Sequence, residues 1–283
     1  MCASRPLSFS WAVTTDKGLR RTSNEDSHCE RADIGLFVVA DGMGGHVAGE
    51  VASREAVDAI QAFINDTASA DKNRTCPFPF EPSISLEANR LKAAFRLANR
   101  RIASAIADSS DLRGMATTAS ALLAGAGSAC VAHVGDSRVY RLRDGALDQL
   151  THDHSWVEEQ VRAGTMSPSA ARQHPWRNVV TRALSGGDDP EVDVTEVEPK
   201  SGDRFLLCSD GLFSVVTDPQ IAEILGSPGK SLQDICSTLI DAANAGGGPD
   251  NITALVLEVG RADGGPGLEV NGRADGGPGV DAP

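Results

Sequence analysis

No C-x-x-C pair occurs among the six cysteines, Cys2, Cys29, Cys76, Cys130, Cys208 and Cys236, which lie scattered through 283 residues. That spacing argues against a zinc–thiolate site and a disulfide framework, and it points to a reducing compartment. Cys130 and Cys208 sit inside apolar runs, where a small buried thiol is the ordinary occupant. No apolar stretch approaches the ~20 residues that span a bilayer. Met1 to Leu7 carries one basic residue and no long apolar run follows, so neither a membrane association nor a secretory leader is expected. Positive charge is also in deficit: 26 Lys and Arg face 39 Asp and Glu, a formal net charge of −13. Nucleic acid is therefore not an expected partner, because a phosphate backbone needs a basic surface. What remains, at 41% hydrophobic and 23% charged residues, suits a soluble globular chain whose core needs no disulfide support.

Apolar patterning divides that chain into elements. Residues 8–14 read as a strand, and 34–40 as a short buried strand that stops at Asp41. From 47 to 64, Val57, Ile60 and Ile64 recur at helical spacing. A loop at 66–85, broken by Cys76-Pro77-Phe78-Pro79-Phe80, precedes a second helix with Leu91, Phe95, Ala98, Ile102 and Ile106 on one face. From 117 to 150 the pattern changes to short strands joined by Gly-rich turns, which implies mainly antiparallel sheet. Residues 151–184 are polar, His-rich and irregular, with one short helix expected near 156–163; they read as an excursion from the core. Strands resume at 193–197 and 204–208, a helix carries Leu232, Ile235, Leu239 and Ile240, and a last strand occupies 252–259. Beyond it the segment 260–267 recurs at 272–279, and this Gly/Pro-rich, apolar-poor tail of residues 260–283 is expected to be disordered.

Acidic residues gather at the corners of this pattern. Asp41-Gly42, Gly135-Asp136 and Asp210-Gly211 follow or join expected strands, Asp250 stands on a Gly-rich loop, and Glu25-Asp26 follows Arg21. Singly, each is an ordinary turn residue. Together they are what hard divalent cations require, oxygen ligands with no thiolate or paired histidine, so Mg²⁺ and Mn²⁺ are the natural candidates. Two ions sharing one carboxylate would make water a nucleophile near neutral pH. Arg21 offers a bidentate fork to phosphate.

Five ordered segments carry a closer likeness: Arg21-x-x-Asn24-Glu25-Asp26, Ala40-Asp41-Gly42-Met43-Gly44-Gly45, His133-Val134-Gly135-Asp136-Ser137-Arg138, Cys208-Ser209-Asp210-Gly211-Leu212 and Pro249-Asp250-Asn251. In this order they resemble the motifs of the type 2C metal-dependent protein serine/threonine phosphatases, in their bacterial branch. The resemblance runs from about residue 10 to 259, between an N-terminal extension (1–9) and the tail. It implies an α+β fold, a four-layer α-β-β-α sandwich in which two mainly antiparallel sheets are flanked by helices. Segment 151–184 would be the flap beside the active site. It further implies that Asp41 bridges two Mn²⁺ or Mg²⁺ ions, that Asp210, Asp250 and the Gly42 carbonyl complete the ligands, and that Asp136 joins Asp210 at a third ion. Glu25 and Asp26 would hold water bound to the ions, and Arg21 the substrate phosphate. A hydroxide bridging the ions would attack phosphoserine or phosphothreonine on proteins, reversing a bacterial serine/threonine kinase. A cytoplasmic monomer is expected.

Two departures stand out. Met43 occupies a position where some members carry a proposed proton-donating His, and a thioether has no acidic proton. His46 is more simply a polar residue at a helix start. Ser214 stands where many members have a further Asp, which leaves a third ion fewer carboxylates. The flap histidines form no H-x-x-x-H pair, so substrate contact or plain structure is the expectation for them. Arg138 and Arg182 read as structural partners of acids, with Arg182 also a candidate for facing substrate. The alternatives are a dedicated phosphatase of a sigma-factor regulator and a non-catalytic phosphoprotein-binding domain. The first is disfavoured by the presence of Arg21 and the flap, the second by the intact acidic motifs. No Cys-x5-Arg loop exists to support a thiolate nucleophile.

Overall fold

Residues 36–40 are apolar without a break because successive side chains serve two different cores. Leu36, Val38 and Ala40 point into one buried cluster, Phe37 and Val39 into another. The computed structural model describes residues 7–44, 47–68, 78–125, 127–261 and 270–274. In chain order the strands are β1 (Leu7–Asp16), β2 (Asp26–Arg31), β3 (Leu36–Met43), β4 (Ala116–Thr117), β5 (Ala119–Ala124), β6 (Ala129–Val134), β7 (Arg138–Arg143), β8 (Ala146–Gln149), β9 (Asp193–Val197), β10 (Arg204–Cys208), β11 (Ile252–Arg261) and β12 (Val270–Ala274). The helices are α1 (Ala48–Ala68), α2 (Leu86–Asp108), α3 (Trp156–Arg162), α4 (Pro168–Gln173), α5 (Asp210–Phe213), α6 (Asp218–Leu225) and α7 (Leu232–Ala245).

Two sheets form the centre, one ordered β12-β1-β11-β10-β7-β8 and the other β2-β3-β5-β6-β9, with β4 added to β3. Every pairing is antiparallel except β1 with β12. Phe9, Phe37, Leu122, Val131, Phe205 and Leu257 fill the space between the sheets. Helices α1 and α2 cover the outer face of the second sheet, and α5 to α7 cover the outer face of the first. The order is thus helix, sheet, sheet, helix, as expected. Both faces of each sheet are buried, so strands such as β10 read as unbroken apolar runs rather than alternating ones.

Several expectations shift. The strand expected at 34–40 runs instead from Leu36 to Met43, because β4 extends the ladder with Gly42 opposite Thr117. Asp41 therefore lies inside a strand, not at its end. Strand β2 was not expected at all. The flap holds two short helices, α3 and α4, and closes on its own aromatic cluster, with Trp156 at 4.9 Å from both His174 and Trp176 between ring centroids. Within the tail, Val270–Ala274 pairs with β1, Phe9 opposite Val270, so this part is a strand rather than a disordered segment. Residues 1–6, Gly45 and His46, residues 69–77, Ala126, and residues 262–269 and 275–283 of the tail lie outside the described residues. Among the described residues no helix is long and apolar enough to cross a membrane.

Candidate metal centre

The ladder sets the first two acids face to face. Asp26, the first residue of β2, lies opposite Asp41 of β3. Just before it, Glu25 accepts the Gly42 N–H at 3.1 Å and donates its own N–H to Asn251 Oδ1 at 2.8 Å. Asp136 stands in the turn between β6 and β7, Asp210 opens α5, and Asp250 precedes β11. Two hydroxyls then tie the sheets together at Asp26. Ser209 and Thr253, from the other sheet's strand ends, each donate to Asp26 Oδ2 at 2.7 Å. Asn251 donates to the carbonyls of Lys17 and Ser23, holding the Arg21 loop from both sides. Arg21 itself, half exposed, donates to Asp250 Oδ2 at 2.6 Å. All eight expected site residues are brought into this one region.

Electrostatics sharpen the picture. Burial, then the charges of Asp26, Asp210, Asp136 and Asp250, hold Asp41 well above the ordinary carboxylate range. Asp210 is raised for the same reasons, against the opposing pull of Arg21. Burial pushes Asp26 up to about 6 despite its two hydroxyl donors. It also pushes Asp136 to about 6, with Asp153 adding to the effect. Glu25 is raised more modestly, since Arg21 offsets its burial. Carboxylates packed this closely stay ionised only beside compensating positive charge.

The donor set fits a hard divalent cation. Asp26 Oδ1 and Asp210 Oδ1 are buried with no hydrogen-bond partner, and among the described residues nothing donates to the Asp41 carboxylate. Such oxygens suit Mg²⁺ or Mn²⁺. Ser214 does not add one: its hydroxyl turns back to the Gly211 carbonyl at 3.5 Å. Sequence reasoning did not find Ser209 or Thr253, since a lone hydroxyl in an apolar strand or turn carries no pattern.

The histidines do something else. Ligand atoms of His133, His154 and Asp193 lie within 4.8 Å of one another, but hydrogen bonds already occupy them. His154 Nδ1 accepts the Gly135 N–H at 3.1 Å and its Nε2 faces Asp193 at 3.2 Å. His133 Nε2 lies 2.8 Å from the His152 carbonyl. Burial lowers His133 to about 4 and lowers His154 as well, and the Nδ1 that accepts the Gly135 N–H carries no proton. This is a hydrogen-bonded clamp, in keeping with a structural reading of the flap histidine. Arg138 forks onto Asp153, and Arg182 pairs with Glu191 and Asp193, the acid partners expected of them. A groove of about 430 Å³ opens outward from Asp136 and Asp210, between the flap residues Val157 and Val161 and the segment around Phe213 and Val215.

The protein phosphatase 2C sequence profile matches residues 20–243. The chain belongs to the protein phosphatase 2C family. It is 41% identical over 253 residues to the serine/threonine protein phosphatase PstP of Mycobacterium tuberculosis, covering 89% of this chain and 45% of that protein. It is 37% identical over 247 residues to the serine/threonine phosphatase stp of Listeria welshimeri, covering 86% and 93%. The chain thus spans about half the length of PstP and nearly all of stp. Among solved structures, the catalytic domain of PstP in complex with two manganese ions superposes with a TM-score of 0.75 at 38% identity, covering 90% of this chain and 99% of that one. The family resemblance read from the five motifs is therefore confirmed, as is the bacterial character of the relatives.

Proposed function

We propose that this family member hydrolyses phosphoserine and phosphothreonine esters on proteins, using two Mn²⁺ or Mg²⁺ ions and a weaker third. One observation carries the reading: five aspartates from separate elements converge, and two of them present buried oxygens that no donor satisfies. The manganese pair of the related PstP domain supports the choice of ion.

Asp41, Asp210, Asp250 and the Gly42 carbonyl would hold the ion pair, and Asp136 would reach the third ion. When bound, the ions supply Lewis acidity to a phosphoryl oxygen and acidify water. Glu25 and Asp26 would orient that water, Asp26 being held rigid by Ser209 and Thr253. Arg21 would take the phosphate in a bidentate fork, which requires it to exchange its contact with Asp250. Met43 offers no proton to the departing alkoxide, so solvent is the donor on this side. The groove under the flap would receive the polypeptide flanking the phosphorylated residue.

The counterpart would be a serine/threonine kinase, and the setting the cytoplasm, where a monomer would act. The four described cysteines are free and buried, which supports a reducing compartment. Asp41→Asn and Asp210→Asn are expected to lower Mn²⁺-dependent phosphate release from a phosphothreonine peptide by about a hundredfold or more, the scale of losing one preorganised electrostatic partner. Wild-type turnover in either variant would sink the assignment.

A further inference from the structure

We infer that His154, oriented by Asp193, is a positioning residue for Asp136, and that it ties the flap stem to the acidic cluster. The inference rests on the metal-dependent reading above. Between β6, which ends at Val134, and β7, which begins at Arg138, the turn 135–137 leaves the sheet ladder. Gly135 takes up φ 107°, and a Cβ there would lie 2.5 Å from the Thr118 side chain, so the turn has one tight shape.

Its peptide groups need partners outside the ladder, and His154 supplies both. The His154 N–H donates to the Gly135 carbonyl at 2.9 Å, and the His154 ring accepts the Gly135 N–H at 3.1 Å. That acceptor role puts the ring proton on Nε2, facing Asp193 at 3.2 Å. The ring is fixed from its face as well, stacked on His133 at 4.6 Å. Asp193 is the cross-strand neighbour of His133, so the clamp is anchored in the sheet. Asp136, the next residue, inherits this fixed peptide plane.

His154 also sits where the two ends of the flap meet. Its carbonyl accepts the Thr181 N–H at 2.7 Å, Ser155 bridges Val180, and Arg182 reaches Asp193 at 3.4 Å. Flap stem, clamp and Asp136 are one continuous unit.

Two substitutions separate the roles of the ring nitrogens. His154→Asn keeps an oxygen acceptor near the δ position; His154→Gln keeps a donor toward Asp193 and loses the acceptor for Gly135. Mn²⁺ titration by calorimetry, with Asp136→Asn marking the binding event that depends on Asp136, reads the effect. His154→Gln and His154→Phe are expected to weaken that event about ten- to a hundredfold, the range for residues that orient a metal ligand. His154→Asn should stay within about threefold of wild type, on the same scale. Asp193→Ala, which leaves the ring in place but unoriented, should show a smaller loss in the same direction and serves if His154→Phe does not fold. A lowered melting temperature with unchanged Mn²⁺ affinity, or a loss in His154→Asn equal to that in His154→Phe, overturns the inference. So does an Asp136→Asn titration identical to wild type. Failure of the wild-type protein to bind Mn²⁺ at all would instead remove the reading on which it rests.

Discussion

At Gly42 a single absent methyl group sets how closely β3 and α1 approach. A Cβ there would run into the Gly49 carbonyl oxygen at the start of α1 and come within 2.7 Å of the Glu25 carbonyl. Both are backbone atoms and cannot rotate away. The glycine is read from the sequence as freeing its own carbonyl for an ion; the structure adds a steric reason, the packing of three backbones next to Asp41. Gly42→Ala is therefore expected to cost about 1–3 kcal/mol, the usual penalty of overpacking, seen as a lower urea midpoint. Gly187→Ala is the control, because its nearest neighbour, Ser185 Oγ, is 3.7 Å away. Equal midpoints for the two variants would refute the steric argument. At the same scale, Met43 closes β3 with a thioether, a group that has no acidic proton to give.

Among the elements, those with a strong internal period were legible and those built by distant partners were not. The helices α1, α2 and α7 bury the apolar faces expected of them. Strand β2, DSHCER, hides because its buried positions, Asp26 and Cys29, are three apart rather than two. Asp26 is buried only because hydroxyls 183 and 227 residues away satisfy it. No local pattern encodes that. Helix α6 does have a readable start, the capping box of Thr217 and Gln220, but eight residues are too few for apolar periodicity to register. The site acids were legible because each sits beside glycine or in a polar run, whereas their hydroxyl partners were not. Arg138 shows how the elements are then locked together. It opens β7, forks onto Asp153 at the flap base, donates to Tyr140 at 2.7 Å, and lies 3.7 Å from the Phe213 ring centre of α5. Arg138→Leu would leave Asp153 buried without its cation and is expected to cost about 3–5 kcal/mol. The double variant Arg138→Leu/Asp153→Leu should regain most of that, since an apolar pair needs no counter-charge. Urea unfolding of the three proteins checks it; a single-variant loss below about 1 kcal/mol, the value of a surface pair, would show the pair to be dispensable.

For the whole molecule, the sandwich stabilises itself with three apolar clusters and spends part of that stability where its sheets meet. Elsewhere among the described residues, buried carboxylates have a cation beside them: Asp203 pairs with Arg143 and Asp153 with Arg138. At the candidate metal centre, burial holds Asp41, Asp210, Asp26 and Asp136 above the ordinary carboxylate range instead, and the charge of Asp250 adds to it at all four. In a chain already at −13 this grouping opposes folding, which is expected where a local rule is broken for function. Two thermal consequences follow from linkage. Mn²⁺ at about a hundred times its dissociation constant should stabilise the wild type by about 2.7 kcal/mol, which for a chain of this size raises the melting temperature by about 5–10 °C, and chelator should reverse it. Asp41→Asn removes a charge that burial and four neighbouring carboxylates oppose. In chelator it should melt at or above the wild-type temperature, and Mn²⁺ should then add little. A wild-type transition indifferent to Mn²⁺, or an Asp41→Asn protein that melts well below wild type in chelator, would mean that Asp41 serves the fold rather than the ion.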